Sequence, residues 1–82
     1  MHKSIHSPQN EMFLHLLRNH RQRRRLRQVD VGIRLGKDQG MISKVEIGER
    51  RLDIIELRAW LRAIEVDFVA FMRELDQKLS GL

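Results

Sequence analysis

Residues 28–45, QVDVGIRLGKDQGMISKV, constrain the fold more than any other part of the chain. They hold two short apolar patterns, Val31 with Leu35 four apart and Ile42 with Val45 three apart, so each segment can bury one face for about two helical turns. Gly36 stands between them, and without a Cβ it can take the positive-φ conformation that ends a helix abruptly. Gly32 permits close backbone approach, and Asp38 is placed to cap the second segment. Helices this short are not stable alone. They need neighbours to cover their apolar faces, and the tight turn between them predicts a helix-turn-helix over residues 28–46.

The flanking chain supplies those neighbours. Ser7 followed by Pro8 reads as an N-cap with proline at the first helical position, and Phe13, Leu16, Leu17 and His20 recur at helical spacing, which predicts a helix over about residues 8–24. Residues 1–7 precede that periodicity and are expected to form a disordered tail. After the turn residues IGERRL, Asp53 and Glu56 have capping-box spacing ahead of a stripe of Leu57, Trp60, Leu61 and Ile64. Asp67 caps a fifth segment carrying Phe68, Val69, Phe71, Met72, Leu75 and Leu79, with Gly81 as its stop. No strand pattern occurs. The expectation is an all-α, compact five-helix domain over residues 8–82, since 82 residues suffice for one core and not for two.

Charge points to a partner class. Residues 18–51 carry eleven Lys/Arg against four acidic residues, a local +7, whereas residues 52–82 carry four against six, a local −2. A basic half joined to a mildly acidic half suits a protein that meets a polyanion with one surface only. With no cysteine there is neither a disulfide framework nor a thiolate metal site, which fits the cytoplasm. No signal-peptide core or membrane-length apolar run is present.

At this point the residues resemble a known family. Gln28, Val31, Leu35, Gly36, Gln39, Ile42, Ser43, Glu46, Gly48 and Arg50 match, in unbroken spacing, the XRE-like (lambda-repressor-like) helix-turn-helix transcriptional regulators, and the similarity extends over roughly residues 9–75. The resemblance implies a five-helix lambda-repressor-like domain whose third helix, about residues 39–45, enters the DNA major groove while the second crosses the backbone. It implies that Gln28 bonds a phosphate and that Arg21 and Glu46 form a structural ion pair. Four positions depart from the family pattern. Arg27 replaces the usual threonine cap, Arg25 a small or glycine residue, and Lys37 an apolar residue, while Gly40 takes a position of the recognition helix that can carry a base-reading side chain.

The resulting expectation is a sequence-specific transcriptional regulator, a repressor acting as a homodimer on a near-palindromic operator of double-stranded DNA. Gln39 and Lys44 are the base-reading candidates. Gln28, Arg27, Lys37, Ser43, Arg50 and Arg51 are the candidates for backbone contact. The apolar surplus of the fifth helix, with Trp60, Phe68, Phe71, Met72 and Leu75, is assigned to the dimer interface. The competing reading is an antitoxin-like or adaptor protein that uses the same fold to bind another protein, distinguished by the size of the free protein in solution. An enzyme is not expected, because no nucleophile or acid–base constellation occurs and Ser43 is accounted for by the motif. Nor is a metal, cofactor, membrane or small-molecule ligand. His2 and His6 fall in the tail, and His15 and His20 stand five apart, off a common helix face.

Overall fold

Four side-chain caps set where the helices begin. In the computed structural model, which describes residues 7–82, Ser7 accepts from the Asn10 N–H, Asp38 from Met41, Asp53 from Glu56 and Asp67 from Ala70, each satisfying a first-turn donor that the helix cannot. The helices are α1 (Pro8–Arg23), α2 (Gln28–Leu35), α3 (Gln39–Glu46), α4 (Ile54–Ala63) and α5 (Phe68–Ser80), with no strand among the described residues. The fold class is all-α, as the periodicity predicts. Of the expected tail over residues 1–7, residues 1–6, with the pair His2 and His6, lie outside the described residues, and Ser7 is the cap of α1.

The turns between helices are left-handed at four points. Gly36 (φ 69°) ends α2 and Gly48 (φ 86°) follows α3, whereas Arg25 (φ 58°) and Glu65 (φ 61°) hold the same conformation with full side chains. Gly32 is required for a different reason: a Cβ there would lie 2.6 Å from the Lys37 carbonyl oxygen, so any side chain would push the α2–α3 turn apart.

One core joins all five helices. Leu16 and Leu17 from α1, Val31 from α2, Ile42 and Val45 from α3, Leu57, Trp60 and Leu61 from α4, and Phe71 from α5 are buried together with Ile64. α1 packs on α3 and α5, and α2 packs on α3 and α4, so the helix-turn-helix is backed by helices on two sides. Phe13 meets Phe71 edge-on with ring centroids 6.2 Å apart. His20, on the apolar face of α1, bonds Glu74 of α5 through Nε2 at 2.8 Å.

Burial corrects part of the dimer assignment. Trp60 is 0 % exposed and Phe71 1 % exposed, so both complete the core of the single chain and neither offers surface to a second copy. The reason is tertiary: α1 docks over α5 through Phe13 and covers Phe71, and α4 packs on α2 and α5 with Trp60 on its inner side. Phe68, Met72 and Leu75 are only partly buried at the core's edge. The large exposed aliphatics are instead Ile33, Ile47, Ile54, Ile55, Val69 and Leu82, with Val29 at the margin.

Candidate nucleic-acid interface

The carboxylate of Glu46, the last residue of α3, is 2 % exposed and therefore needs charged or hydrogen-bonded partners. Arg21 of α1, itself 8 % exposed, provides them as a fork: Nε donates to Oε2 at 2.7 Å and Nη2 to Oε1 at 3.0 Å. The remaining Arg21 Nη1 donates to the Leu26 carbonyl at 2.7 Å and ties down the α1–α2 loop. Arg18 donates to the Glu46 carbonyl at 3.0 Å, where α3 ends and its dipole favours a cation. Two directional bonds to one carboxylate fix the rotation of α3 about its axis as well as its distance from α1.

From this buried node a chain of amides leads to the surface. Gln28 Nε2 donates to Glu46 Oε1 at 3.0 Å, and Gln39 Nε2 donates to Gln28 Oε1 at 3.0 Å. Each amide nitrogen carries two hydrogens, so Gln28 keeps one donor, while exposed Gln39 keeps one donor and its carbonyl oxygen. A planar donor–acceptor pair of that kind is complementary to adenine N7 and N6. Gln28 is more deeply engaged than a surface phosphate contact requires, because its side chain is also the internal link of this chain.

The outer face of α3 follows from its period. Ile42, Val45 and Glu46 point into the core, which leaves Gln39, Gly40 and Lys44 exposed with Ser43 partly so. Ile47, 53 % exposed immediately after the helix, continues that face, although its place in the turn IGERRL gives it no such role in the sequence reading. Its signal is in the spacing, three residues beyond Lys44 and seven beyond Gly40.

The cations around this face differ in how they are engaged. Arg27 donates through Nε and Nη2 to Asp30 at 3.1 and 3.0 Å, and its backbone N–H donates to the same carboxylate at 2.7 Å. The Arg27 guanidinium and N–H hold the Asp30 carboxyl down at about 2. Arg50 Nη2 donates to Glu56 at 2.8 Å, which, with the Asp53 N–H, keeps the Glu56 carboxyl below its usual range. Lys37 and Arg51 are exposed, and among the described residues no carboxylate lies within ion-pair distance of either. Two of the four flanking cations thus already share their charge with a carboxylate, while Lys37 and Arg51 do not. Among the described residues no three His, Cys, Asp or Glu side chains are grouped to hold a metal ion, and no helix is long and apolar enough to cross a membrane.

Comparison with known proteins agrees with this geometry. Residues 13–75 match a helix-turn-helix domain family. The structure is similar to that of an XRE-family like protein from Pseudomonas syringae pv. tomato str. DC3000, with a TM-score of 0.82, 35 % sequence identity, and coverage of 92 % of this chain and 94 % of that one. A mutant of the restriction-modification controller protein C.Esp1396I is similar with a TM-score of 0.79 and 23 % identity, over 89 % of this chain and 92 % of that chain, a likeness of fold alone. No curated protein sequence matches.

Proposed function

Because the chain belongs to the XRE family of helix-turn-helix proteins, a family of DNA-binding transcription regulators, we propose that it is a repressor that binds a near-palindromic operator as a homodimer. The observation that carries this reading is the outer face of α3, where Gln39 presents an unused donor and acceptor while its other bond runs back through Gln28 to the buried Glu46. A reading head is useful only if it is held still, and this one is anchored by a fork of hydrogen bonds inside the domain.

In this proposal α3 lies in the major groove, Gln39 reads adenine and Lys44 reads guanine a few positions away. Ile47 lies against a thymine methyl at the end of the same face. Gln28 gives its spare donor to a phosphate, Ser43 touches the backbone, and Lys37, Arg51, Arg27 and Arg50 add phosphate contacts in that order of readiness. The chain acts by binding rather than by catalysis, in the compartment that holds the DNA. Phe68, Met72 and Leu75, with Val69 beside them, provide the α5 part of the dimer contact in place of Trp60 and Phe71.

Selection of bound sequences from a random pool of duplex DNA tests the whole reading. The expected result is an inverted repeat with half-site centres about 10 base pairs apart, each half containing an adenine and a guanine, and affinity that falls by a log–log slope of about −0.9 per neutralised phosphate as salt rises. A pool that yields no enriched motif, or affinity flat with salt, refutes it. Exposed Ile33, Ile54 and Ile55 support a second reading, an adaptor whose main partner is another protein. Sedimentation separates the two, since a stable dimer favours the repressor and a monomer the adaptor.

A further inference from the structure

Among the described residues, two other than glycine hold left-handed backbone, and only one of them has a reason inside the chain. Glu65 follows α4 at φ 61°, a conformation that glycine adopts without steric penalty. Its carboxylate lies 3.6 Å from Arg24 and 3.7 Å from Arg34, and its carbonyl accepts from Arg24 Nη2 at 2.7 Å. The side chain therefore joins the ends of α1, α2 and α4. Arg25, at φ 58°, bears the same steric penalty. Its backbone N–H donates to the Gln22 carbonyl at 2.9 Å, but its exposed guanidinium meets no acceptor among the described residues.

The surroundings of Arg25 say what is missing. It lines an open groove at the start of α2 together with Arg21, Arg27, Gln28 and Gln39. Of the three arginines there, Arg21 is committed to Glu46 and Arg27 to Asp30, so Arg25 is the unpaired positive charge of the groove. Arg27 gives α2 no side-chain cap; the Asp30 N–H donates to the Arg27 carbonyl at 3.1 Å, and the N–H groups of Gln28 and Val29, two residues of the same groove, have no acceptor among the described residues. Strained backbone that carries an unpaired cation next to open helix donors is suited to a contact outside the chain.

We propose that Arg25 is a phosphate anchor, bonding a DNA backbone oxygen beside the N-terminus of α2 and outside the bases that α3 reads. The inference rests on the DNA-binding reading above. It accounts for an arginine where glycine would give a more stable fold: the contact, not the fold, keeps it there.

The test measures two properties that must move in opposite directions. The full chain and its Arg25→Gly and Arg25→Lys variants are melted, and each is titrated with duplex DNA of random sequence over a range of salt. Arg25→Gly should raise the melting temperature by about 4 °C or more, because glycine relieves the left-handed penalty. The same variant should weaken binding about three- to tenfold near 0.1 M salt, and its log–log salt slope should be shallower by about 0.9. Arg25→Lys should melt like the parent and keep the parental slope. Parental affinity and slope in Arg25→Gly overturn the phosphate contact, and a lower melting temperature overturns the strain argument. A parent that does not bind duplex DNA at any salt overturns the DNA-binding reading and this inference together, whereas a parent that binds while Arg25→Gly is unchanged overturns this inference alone.

Discussion

The α2–α3 unit and the α4–α5 unit are held by different kinds of force. Around α3, directional polar bonds converge on one buried carboxylate, and Arg21, Gln28 and Gln39 each have a fixed partner and angle. Around α4 and α5, Leu57, Trp60, Leu61, Ile64 and Phe71 fill the interior by apolar packing, and the Trp60 indole N–H finds no acceptor among the described residues. Apolar burial is non-directional and supplies most of the stability, whereas a buried ion pair contributes little net stability and much orientation. The difference teaches that the apolar core, which runs through all five helices with Val31, Ile42 and Val45 included, holds the fold, whereas the bonds that aim α3 converge on a single residue.

The comparison breaks most visibly at its two centres. Phe71→Ala opens a cavity and should cost about 3–5 kcal/mol, and Glu46→Ala should cost a similar amount by stranding the Arg21 charge. Replacing both partners, Arg21→Met with Glu46→Leu, should recover most of that stability and still bind operator DNA poorly, because α3 has lost the bonds that set its rotation. Chemical denaturation and operator titration on the same samples decide this. Full affinity in the double variant would mean that packing alone aims the helix.

A smaller effect separates reading from holding. Gln39→Ala removes only the outer end of the amide chain, so it should cost about 1–3 kcal/mol on the operator, relax preference at one base pair and leave random-sequence affinity almost unchanged. Equal losses on both DNAs would make Gln39 a positioning contact. Gly40→Ala should gain up to about 1 kcal/mol from helix preference and lose part of that gain, because the new Cβ would stand 3.3 Å from Asp38 Oδ1, the oxygen that caps α3 by accepting from the Met41 N–H. Thermal melting checks the gain.

The smallest effect is set by pH. Asp30 has its pKa depressed to about 2 by Arg27, so the pair's stabilising contribution is complete above the unfolded value near 3.8 and is lost as pH falls through about 2. The parent and Asp30→Asn should therefore differ in melting temperature at neutral pH and converge as the solution approaches pH 2. A difference that persists at pH 2 would show that the carboxylate's charge is not the source.

How much of this was legible in the sequence depends on how local each cause is. The caps Ser7, Asp38, Asp53 and Asp67 and the left-handed Gly36 act within four residues, so the order of helices could be read directly. Interior and surface within an apolar stripe depend on which helix docks on it. That is why Trp60 and Phe71 read as interface and are core, and why Ile47 was passed over. The engagement of Arg50 by Glu56 is likewise set by how the loop after α3 folds back on α4, which no spacing reveals. Left-handed Glu65 was hidden for a plainer reason, since its residue type does not announce that conformation, whereas Arg25 stands where the resembled family carries a small residue or glycine, the one hint of its positive φ.

The amide chain from Glu46 to Gln39 has a consequence for how such a protein can change over generations. It is rooted at its buried end, because Arg21 and Gln28 both hold Glu46 whether or not position 39 contributes. A new side chain at position 39 would lose one bond to Gln28 and leave the root intact. If Gln39 reads bases as proposed, sequence preference can drift by single substitutions at the tip, without the compensating changes that an alteration in the root would demand. Paralogues that need to ignore one another's operators have, in this arrangement, a cheap place to diverge.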